Sequence, residues 1–230
     1  MIDDEDLTCR RKSASALLDS ARASEYVERF LTSEDAYLRR LAVSSKGATH
    51  EHRTLGIRDK TQSVCEAALQ SMNELNEPLD SEDLLMLMDQ GITGPSLIHS
   101  VMESDGEALV KFAMAAKGPT MKKFVKALKE RCDSPEDRLI KTLRDAQEWI
   151  VVGRWLQGLR GVEHDALRWE LIRNPNVDQI ERSRWIERLI GRCDEPILVE
   201  EARRFIGEEH PDLLLQAAQN LSTAYDKLDL

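Results

Sequence analysis

Apolar residues along this chain recur at spacings of three and four positions, and a convincing alternation with a period of two is absent. This spacing is typical of amphipathic helices rather than of strands. Capping residues, glycines and prolines that begin or end helices also recur at short intervals. The chain is therefore predicted to be all-α. The predicted helices cover residues 12–31, 35–45, 50–59, 62–72, 81–90, 95–104, 106–117, 120–132, 135–149, 151–160, 163–173, 177–191, 196–208 and 211–225.

Prolines mark several of the predicted helix starts. In Ser134-Pro135-Glu136-Asp137 a capping hydroxyl precedes a proline and two acids, which favours a helix that begins at Pro135. The pairs Glu195-Pro196 and His210-Pro211 likewise place a proline at the start of an apolar-periodic stretch. Ser81 heads a further helix, rich in acids and then in leucine and methionine.

One stretch of the chain matches another without gaps. Residues 38–49 align on residues 109–120, with Leu, Ala, Lys, Gly and Thr at identical offsets. A third copy covers residues 167–178, and weaker copies begin at Val64 and Val199. Amphipathic helices share leucine and alanine spacing by chance, but this match extends through the turn Lys-Gly-x-Thr. We therefore interpret the copies as an internal repeat of a helix followed by a turn.

Each copy predicts the same local structure, a helix and a turn that leads into a second helix. Small residues on one side of the helix let it approach a neighbour closely, and the turn then reverses the chain into a second helix. Such a pair cannot bury its apolar stripe alone, so pairs are expected to stack on one another. The small residues are Ala42, Ala68, Ala113 and Ala202. The pattern Leu-Arg-x-x-Ala-Val, followed by such a turn, resembles the leucine-rich repeat variant, a family among the HEAT-like α-solenoids.

This resemblance covers about half of the chain and is clearest at residues 34–72, 105–132 and 164–208. It implies a right-handed α-solenoid of stacked short antiparallel helix pairs, with residues 1–230 as a single domain. Residues 73–104 break the period and are expected to form an irregular acidic section. Solenoids of this kind serve mostly as binding surfaces, so the resemblance favours a protein-binding role.

Composition and charge exclude several classes of protein. The chain carries 32 basic and 42 acidic side chains, a net charge of −10, so phosphate backbones would repel it and non-specific nucleic-acid binding is not expected. An apolar content of 41% is too high for a disordered chain. The sequence also lacks a run of eighteen apolar residues, which a membrane-spanning helix would need. The acidic start, Met1-Ile2-Asp3-Asp4-Glu5-Asp6, is unlike a secretory signal, which favours a cytoplasmic protein.

The acidic charge is concentrated in one section of the chain. Residues 73–104 contain seven acidic side chains and no lysine or arginine, beside the apolar run 84–88. Acids mixed with flexible apolar side chains suit a basic protein partner, through steering and adaptable packing. The favoured alternative is a solvated acidic face over a buried leucine and methionine stripe. The predicted partner-binding residues are Glu74, Glu77, Asp80, Glu82, Asp83, Met86 and Asp89.

A basic helix follows this section. It contains Lys117, Lys122, Lys123, Lys126 and Lys129, which would meet an acidic partner or phosphate, or would form an ordinary solvated face. The solvated face is the favoured reading.

The sequence offers no pattern of catalytic or metal-binding residues. Cys9, Cys65, Cys132 and Cys193 are too far apart for zinc or iron–sulfur spacings, and they are expected to be buried or half-buried thiols. The histidines follow no metal-binding spacing. There is no phosphate-binding loop or hydrolase elbow. We therefore predict no catalytic residues, no metal and no cofactor.

Three roles remain open for a protein of this architecture. The first is a non-enzymatic binding protein, in its most concrete form a bacterial immunity or antitoxin-like protein that masks a basic partner. The second is a DNA glycosylase, since glycosylases built from HEAT-like repeats resemble this chain in size and helix content and use an aromatic-lined cleft with an aspartate. Its nearest candidates are Asp145, Trp149 and Trp185. The third is a scaffold or assembly factor.

Overall fold

The structure, a computed structural model, describes residues 6–104, 106–193 and 195–226. Within these residues the chain is helical, with fifteen α-helices, a 3₁₀ turn and no strand, which confirms the all-α prediction. The helices are α1 Leu7–Leu18, α2 Val27–Leu31, α3 Ala36–Val43, α4 His50–Ile57, α5 Gln62–Glu74, α6 Ser81–Asp89, α7 Pro95–Glu103, α8 Glu107–Ala115, α9 Gly118–Arg131, α10 Arg138–Asp145, α11 Trp149–Leu156, α12 Val162–Arg173, α13 Gln179–Arg192, α14 Pro196–Glu208 and α15 Pro211–Asp226. None of the helices in the described part combines the length and apolar character needed to cross a bilayer.

The first predicted helix, over residues 12–31, was wrong in its extent. The chain instead forms α1, a 3₁₀ turn at Ala23–Glu25 and the short α2. Helix α1 begins early because the Asp6 carboxylate accepts the backbone N–H groups of Thr8 and Cys9. It ends at Leu18 because the Ser20 hydroxyl donates to the carbonyl of Leu17, which holds the chain in a turn.

The segment around Pro135 also differs from the prediction. Helix α10 begins at Arg138, three residues after the predicted start. The Asp137 carboxylate accepts the backbone N–H groups of Asp133 and Ser134, which stabilises a loop where a helical first turn was expected. By contrast, α14 and α15 begin at their prolines as predicted.

The chain divides into two compact units, Met1–Ala115 and Ala116–Leu230. In the first unit α1, α3, α5 and α7 contact one another in that order, and α2 packs on α4 and α6 on α8. In the second unit α9, α11, α13 and α15 form the same kind of series, and α12 packs on α14. Each odd-numbered helix therefore contacts the next odd-numbered helix of its unit, whereas the even-numbered helices do so only in part.

The small residues that were predicted to lie at helix contacts are buried. Ala42, Ala68, Ala113 and Ala202 are all buried. Gly56 of α4 leaves no room for a methyl group, because an added Cβ would lie 2.5 Å from Cγ1 of Val43 and 2.9 Å from Cβ of Ala68. Helices α3, α4 and α5 thus meet at a point where only glycine fits on the middle helix.

The two best-matched copies of the repeat do not occupy equivalent positions. Residues 38–49 run from α3 to the N-cap of α4, and residues 109–120 run from α8 into α9. In the first unit α3 belongs to the odd-numbered series, whereas α8 packs on α6. The matched glycines also serve different purposes. A Cβ on Gly47 would lie 2.4 Å from the Ser24 nitrogen, whereas Gly118 has room around it and a φ of +52°.

A buried arginine ties together the start of the first unit. The side chain of Arg39, 5% exposed, donates from Nε and Nη2 to both carboxylate oxygens of Asp59, at 2.7 and 3.0 Å. Its remaining donors bond Oγ1 of Thr61 and the carbonyls of Ser33 and Glu34, at 2.8–2.9 Å. All five N–H groups of the guanidinium are thereby satisfied. One side chain on α3 therefore joins the loop after α2 to the loop before α5.

Other buried arginines act in the same way. Each donates to a backbone carbonyl in the last turn of a helix or in the loop that follows it, where carbonyls lack a partner within a helix. The bonds run from Arg53 to Ala48, from Arg168 to Leu156 and Leu159, and from Arg182 to Ile172. Successive helices are thus connected by buried guanidinium groups as well as by apolar packing.

We expect Arg39→Met to lower the free energy of unfolding by about 3–5 kcal/mol, because it leaves a half-buried carboxylate and two carbonyls without their donor. Urea denaturation followed by circular dichroism measures this. Arg22→Met is the matched control, since Arg22 forms an exposed pair with Glu25, and its stability should stay close to that of the native protein. Equal stability of the two variants would contradict the role given to Arg39.

We expect Gly153→Ala to destabilise the second unit by about 1–3 kcal/mol, through overpacking. An added Cβ on this α11 residue would lie 1.9 Å from Cζ2 of the buried Trp185, so the indole would have to move. Tryptophan fluorescence during urea unfolding measures the change. The control Gly207→Ala, in a helix with open space at the site, should instead be neutral or stabilising by up to about 1 kcal/mol.

Candidate functional site

The structure separates the predicted acidic residues into internal and exposed ones. Asp83, on α6, is only 3% exposed and accepts from Nε and Nη2 of Arg58 at 2.7 and 3.0 Å. Asp80 caps α6, because its carboxylate accepts the backbone N–H of Asp83 at 2.9 Å. Asp83 is therefore an internal counterion of Arg58. The side chain of Asp80 is exposed but also caps α6.

Glu77 is also paired with side chains inside the first unit. It lies between α5 and α6, and both of its oxygens accept from Arg53 of α4. Nδ1 of His50 lies 3.3 Å from the same carboxylate. The bonds from Arg53, opposed by partial burial and aided by His50, hold the pKa of Glu77 below its usual 4.5.

The remaining predicted residues face solvent to different degrees. The side chains of Glu74, Glu82 and Asp89 are exposed, and Met86 is half-buried. In the apolar run, Leu84 and Leu87 are buried, whereas the other three residues are half-buried. A single helix face thus does not bury the whole run, as expected. The acidic surface open to a partner is consequently smaller than the sequence indicated.

A cleft of about 380 Å³ lies in the same section of the first unit, between the C-terminal ends of α5 and α7. Its lining consists of Asn73 and residues 76–79 on one side, and residues 99–100 and 103–104 on the other. Of the predicted partner-binding residues, only Glu77 belongs to this lining. The sequence reasoning missed the cleft, because its walls come from two separate segments of the chain, residues 73–79 and 99–104.

The α5 wall of the cleft is fixed by the way this helix ends. Asn76 has a φ of +54°, the N–H of Glu77 donates to the carbonyl of Met72, and the N–H of Asn76 donates to the carbonyl of Asn73. These bonds form a Schellman motif, in which asparagine is one of the few residues that tolerate the left-handed position. The motif turns the chain so that Glu77 is presented to Arg53.

Hydrogen bonds join the two walls of the cleft at its base. Nδ2 of Asn73 donates to the carbonyl of Ser96 at 2.8 Å, and the Ser100 hydroxyl donates to Oδ1 of Asn73 at 2.7 Å. On the other wall, Ser104 follows the last residue of α7, and its backbone N–H and hydroxyl both donate to the carbonyl of Val101. The cleft therefore has two helix C-termini for its walls and a bonded amide at its base.

The residues considered for a glycosylase do not form an open aromatic cleft in the second unit. Trp185 is buried against Gly153, whereas Asp145 is exposed. Trp149 is half-buried, and its Nε1 is buried without a hydrogen-bond partner. Trp155 is buried and donates from Nε1 to the carbonyl of Cys132. Three of these side chains thus pack inside the unit to a large degree.

The thiols follow the prediction except at Cys9. Cys65 and Cys132 are buried, Cys193 is half-buried and Cys9 is exposed. Burial raises the pKa of Cys132 to about 11, assisted by the negative charge of Asp137, which keeps this thiol protonated. Across the described residues, no three His, Cys, Asp or Glu side chains are placed to share a metal ion.

The basic helix is α9, and its predicted lysines are exposed. Nζ of Lys129 donates to the carbonyl of Gln157 at 2.6 Å, which ties α9 to the end of α11. Partial desolvation of its amino group, together with the positive charge of Arg188, lowers the pKa of Lys129.

No family model, curated protein or solved structure matches this chain.

We expect the stability of the first unit to fall in acid, because arginine bonds lower the pKa values of Glu77 and Asp35. A carboxylate whose pKa is lowered by folding stabilises the protein above its unfolded-state pKa, and this contribution is lost as the pH falls through the folded-state pKa. Urea midpoints measured from pH 6 down to about pH 3 should therefore decline, beginning near the usual 4.5 of glutamate.

In Glu77→Gln this decline should be smaller, and stability at pH 6 should be lower than in the native protein. Glu82→Gln, at an exposed position on α6, should keep the native dependence on pH. Parallel pH curves for Glu77→Gln and the native protein would contradict the internal role of Glu77.

Proposed function

We propose that this protein is a non-enzymatic, cytoplasmic α-solenoid that binds a basic protein partner through the acidic surface of its first unit. The observation that carries the proposal is the distribution of charge. Residues 1–115 hold 12 basic and 21 acidic side chains, a net charge of −9, whereas residues 116–230 hold 20 and 21, a net charge of −1. Nearly the whole charge excess of the chain therefore belongs to one unit.

The internal ion pairs strengthen this charge argument. Three acids of the first unit are neutralised by arginines of the same unit. The ion pairs are Arg39–Asp59, Arg53–Glu77 and Arg58–Asp83. The acids left on the surface, such as Glu74, Glu82 and Asp89, consequently face solvent in a stretch without lysine or arginine from residue 61 to 110. Such a field increases the rate at which a basic protein associates.

The helix contacts support a solenoid within each unit. In stacked helix pairs, each helix packs on its own partner and on the corresponding helix of the next pair. The contacts of α1, α3, α5 and α7, and those of α9, α11, α13 and α15, follow this rule. A right-handed solenoid, as the resemblance to the leucine-rich repeat variant implies, is therefore the arrangement we propose.

In its most specific form, the proposal is an immunity or antitoxin-like role, in which the acidic unit masks a basic partner and contributes no chemistry of its own. A scaffold or assembly factor would use the same surface without blocking an activity. The glycosylase alternative with Asp145, Trp149 and Trp185 is less favoured, because the burial of Trp185 removes it from contact with a base.

Affinity capture with the tagged protein tests the proposal. We expect one dominant basic protein to be retained at low salt, with retention falling as ionic strength rises, because exposed charges are screened. The double variant Glu82→Lys/Asp89→Lys should reduce retention by about tenfold or more, equivalent to about 1.4 kcal/mol.

The matched control is Glu28→Lys/Glu34→Lys, which makes the same change of charge at exposed acids of the first unit outside the acidic section. This control should retain the partner nearly as well as the native protein. The proposal is overturned if no basic protein is retained, or if the two double variants lose it equally.

A further inference from the structure

We propose that the exposed face of helix α14 associates with the same face of a second copy of this chain, so that the two α14 helices lie antiparallel. This inference concerns the second unit and goes beyond the proposed function, which uses the acidic surface of the first unit. The exposed face comprises residues 197, 200–201, 203–204 and 207–208, which line an open groove of about 610 Å³. All of this lining comes from the one helix.

The opposite face of α14 is already covered. Ala202 and Ile206 are buried, and the helix packs on α12, α13 and α15 of its own unit. By contrast, Ile197 on the groove side is 69% exposed, the highest fraction among the large apolar side chains that the structure describes. A Cβ built on Gly207 would meet no atom within 4 Å, so the backbone there is open to contact. The groove therefore has an exposed apolar side chain near one end and bare backbone near the other.

The charged side chains of this face are not paired within the helix. Glu200 and Arg204 are four residues apart, a spacing and order that favour an ion pair along a helix. Such a pair forms on the exposed surface of α8, between Glu107 and Lys111. Within the described part of the chain, no hydrogen bond or ion pair is formed by the side chains of Glu200, Glu201, Arg203, Arg204 and Glu208. Their charges therefore remain available to a partner.

The order of charges along α14 is complementary to itself in an antiparallel pair. Acids at residues 200–201 are followed by arginines at residues 203–204. When the two-fold axis is level with Ala202, Glu200 lies opposite Arg204 of the second copy, and symmetry repeats this contact. A parallel pair would instead place like charges opposite each other. The charges thus favour an antiparallel pair in one register.

The same register suits the apolar side chain. It brings Ile197 near Gly207 of the second copy, where the backbone is open, and this contact also occurs twice. A partner with a uniformly basic or uniformly acidic surface would meet like charges on this helix, which disfavours association. A second copy of the chain therefore fits the face better than the basic partner proposed for the first unit.

Sedimentation velocity of the full chain, from about 5 μM to about 1 mM, tests the proposal. A contact between single helices falls at the low end of interface sizes, below about 1,200 Å², so we expect a weak dimer with a Kd on the order of 100 μM. The mass should rise with concentration from 26.2 kDa toward twice this value. Salt at about 0.15 M screens the repulsion between two chains of charge −10. A monomeric mass over the whole range overturns the proposal and leaves the face to solvent or to a different protein.

Exchange of the opposing charges tests the register. Glu200→Arg alone and Arg204→Glu alone each set like charges against one another at both symmetric contacts, so each should weaken self-association by about tenfold or more. An equimolar mixture of these two variants should form heterodimers about as strong as the native dimer, because unlike charges again face each other. The proposal is wrong if the mixture associates no more strongly than either variant alone.

Matched variants separate the face from general effects of charge. Glu130→Arg makes the same change of charge at an exposed residue of α9 and should leave self-association unchanged. Ile197→Ser should weaken the dimer by about threefold to tenfold without lowering the free energy of unfolding, because this side chain is exposed in the single chain. Circular dichroism should show native helix content in all variants. Equal effects of Glu130→Arg and Glu200→Arg would show that net charge alone governs association and would overturn the assignment.

Discussion

Buried arginines are the interaction on which the rest of this structure depends. A guanidinium such as that of Arg39 brings five donors to a place where helix ends expose carbonyls that lack partners. Its positive charge requires a carboxylate nearby, and Asp59 meets this requirement at the start of the next helix but one. The buried Arg53 pairs with Glu77 in the same way, and the exposed Arg58 pairs with the buried Asp83 further along the first unit.

These ion pairs decide which acids are available for binding. A count of charges along the sequence treats Glu82 and Asp83 as equivalent neighbours, yet one is exposed and the other is buried against Arg58. The net negative charge of the first unit remains after the internal pairs are formed, since each pair removes one charge of each sign. The acidic surface that we propose for a partner is therefore carried by fewer residues than the sequence indicates, but it has the same sign.

The prediction of helices was accurate where local chemistry acts alone, and it failed where two local signals competed. Pro196 and Pro211 begin helices because a proline ring favours the first helical position. Pro135 does not, because Asp137 bonds the backbone of Asp133 and Ser134 and stabilises a loop instead. The gap-free repeat match likewise paired Gly47 with Gly118, although close contact requires the first glycine and a positive φ favours the second.

The sequence by itself determined that the chain is helical, that its small repeat residues are buried and that negative charge is concentrated before residue 116, because periodicity, residue size and charge are local properties. Only the tertiary structure decided that Glu77 and Asp83 are internal counterions and that a polar cleft lies between α5 and α7. Both depend on contacts between helices distant along the chain, for which a single sequence carries no local signal.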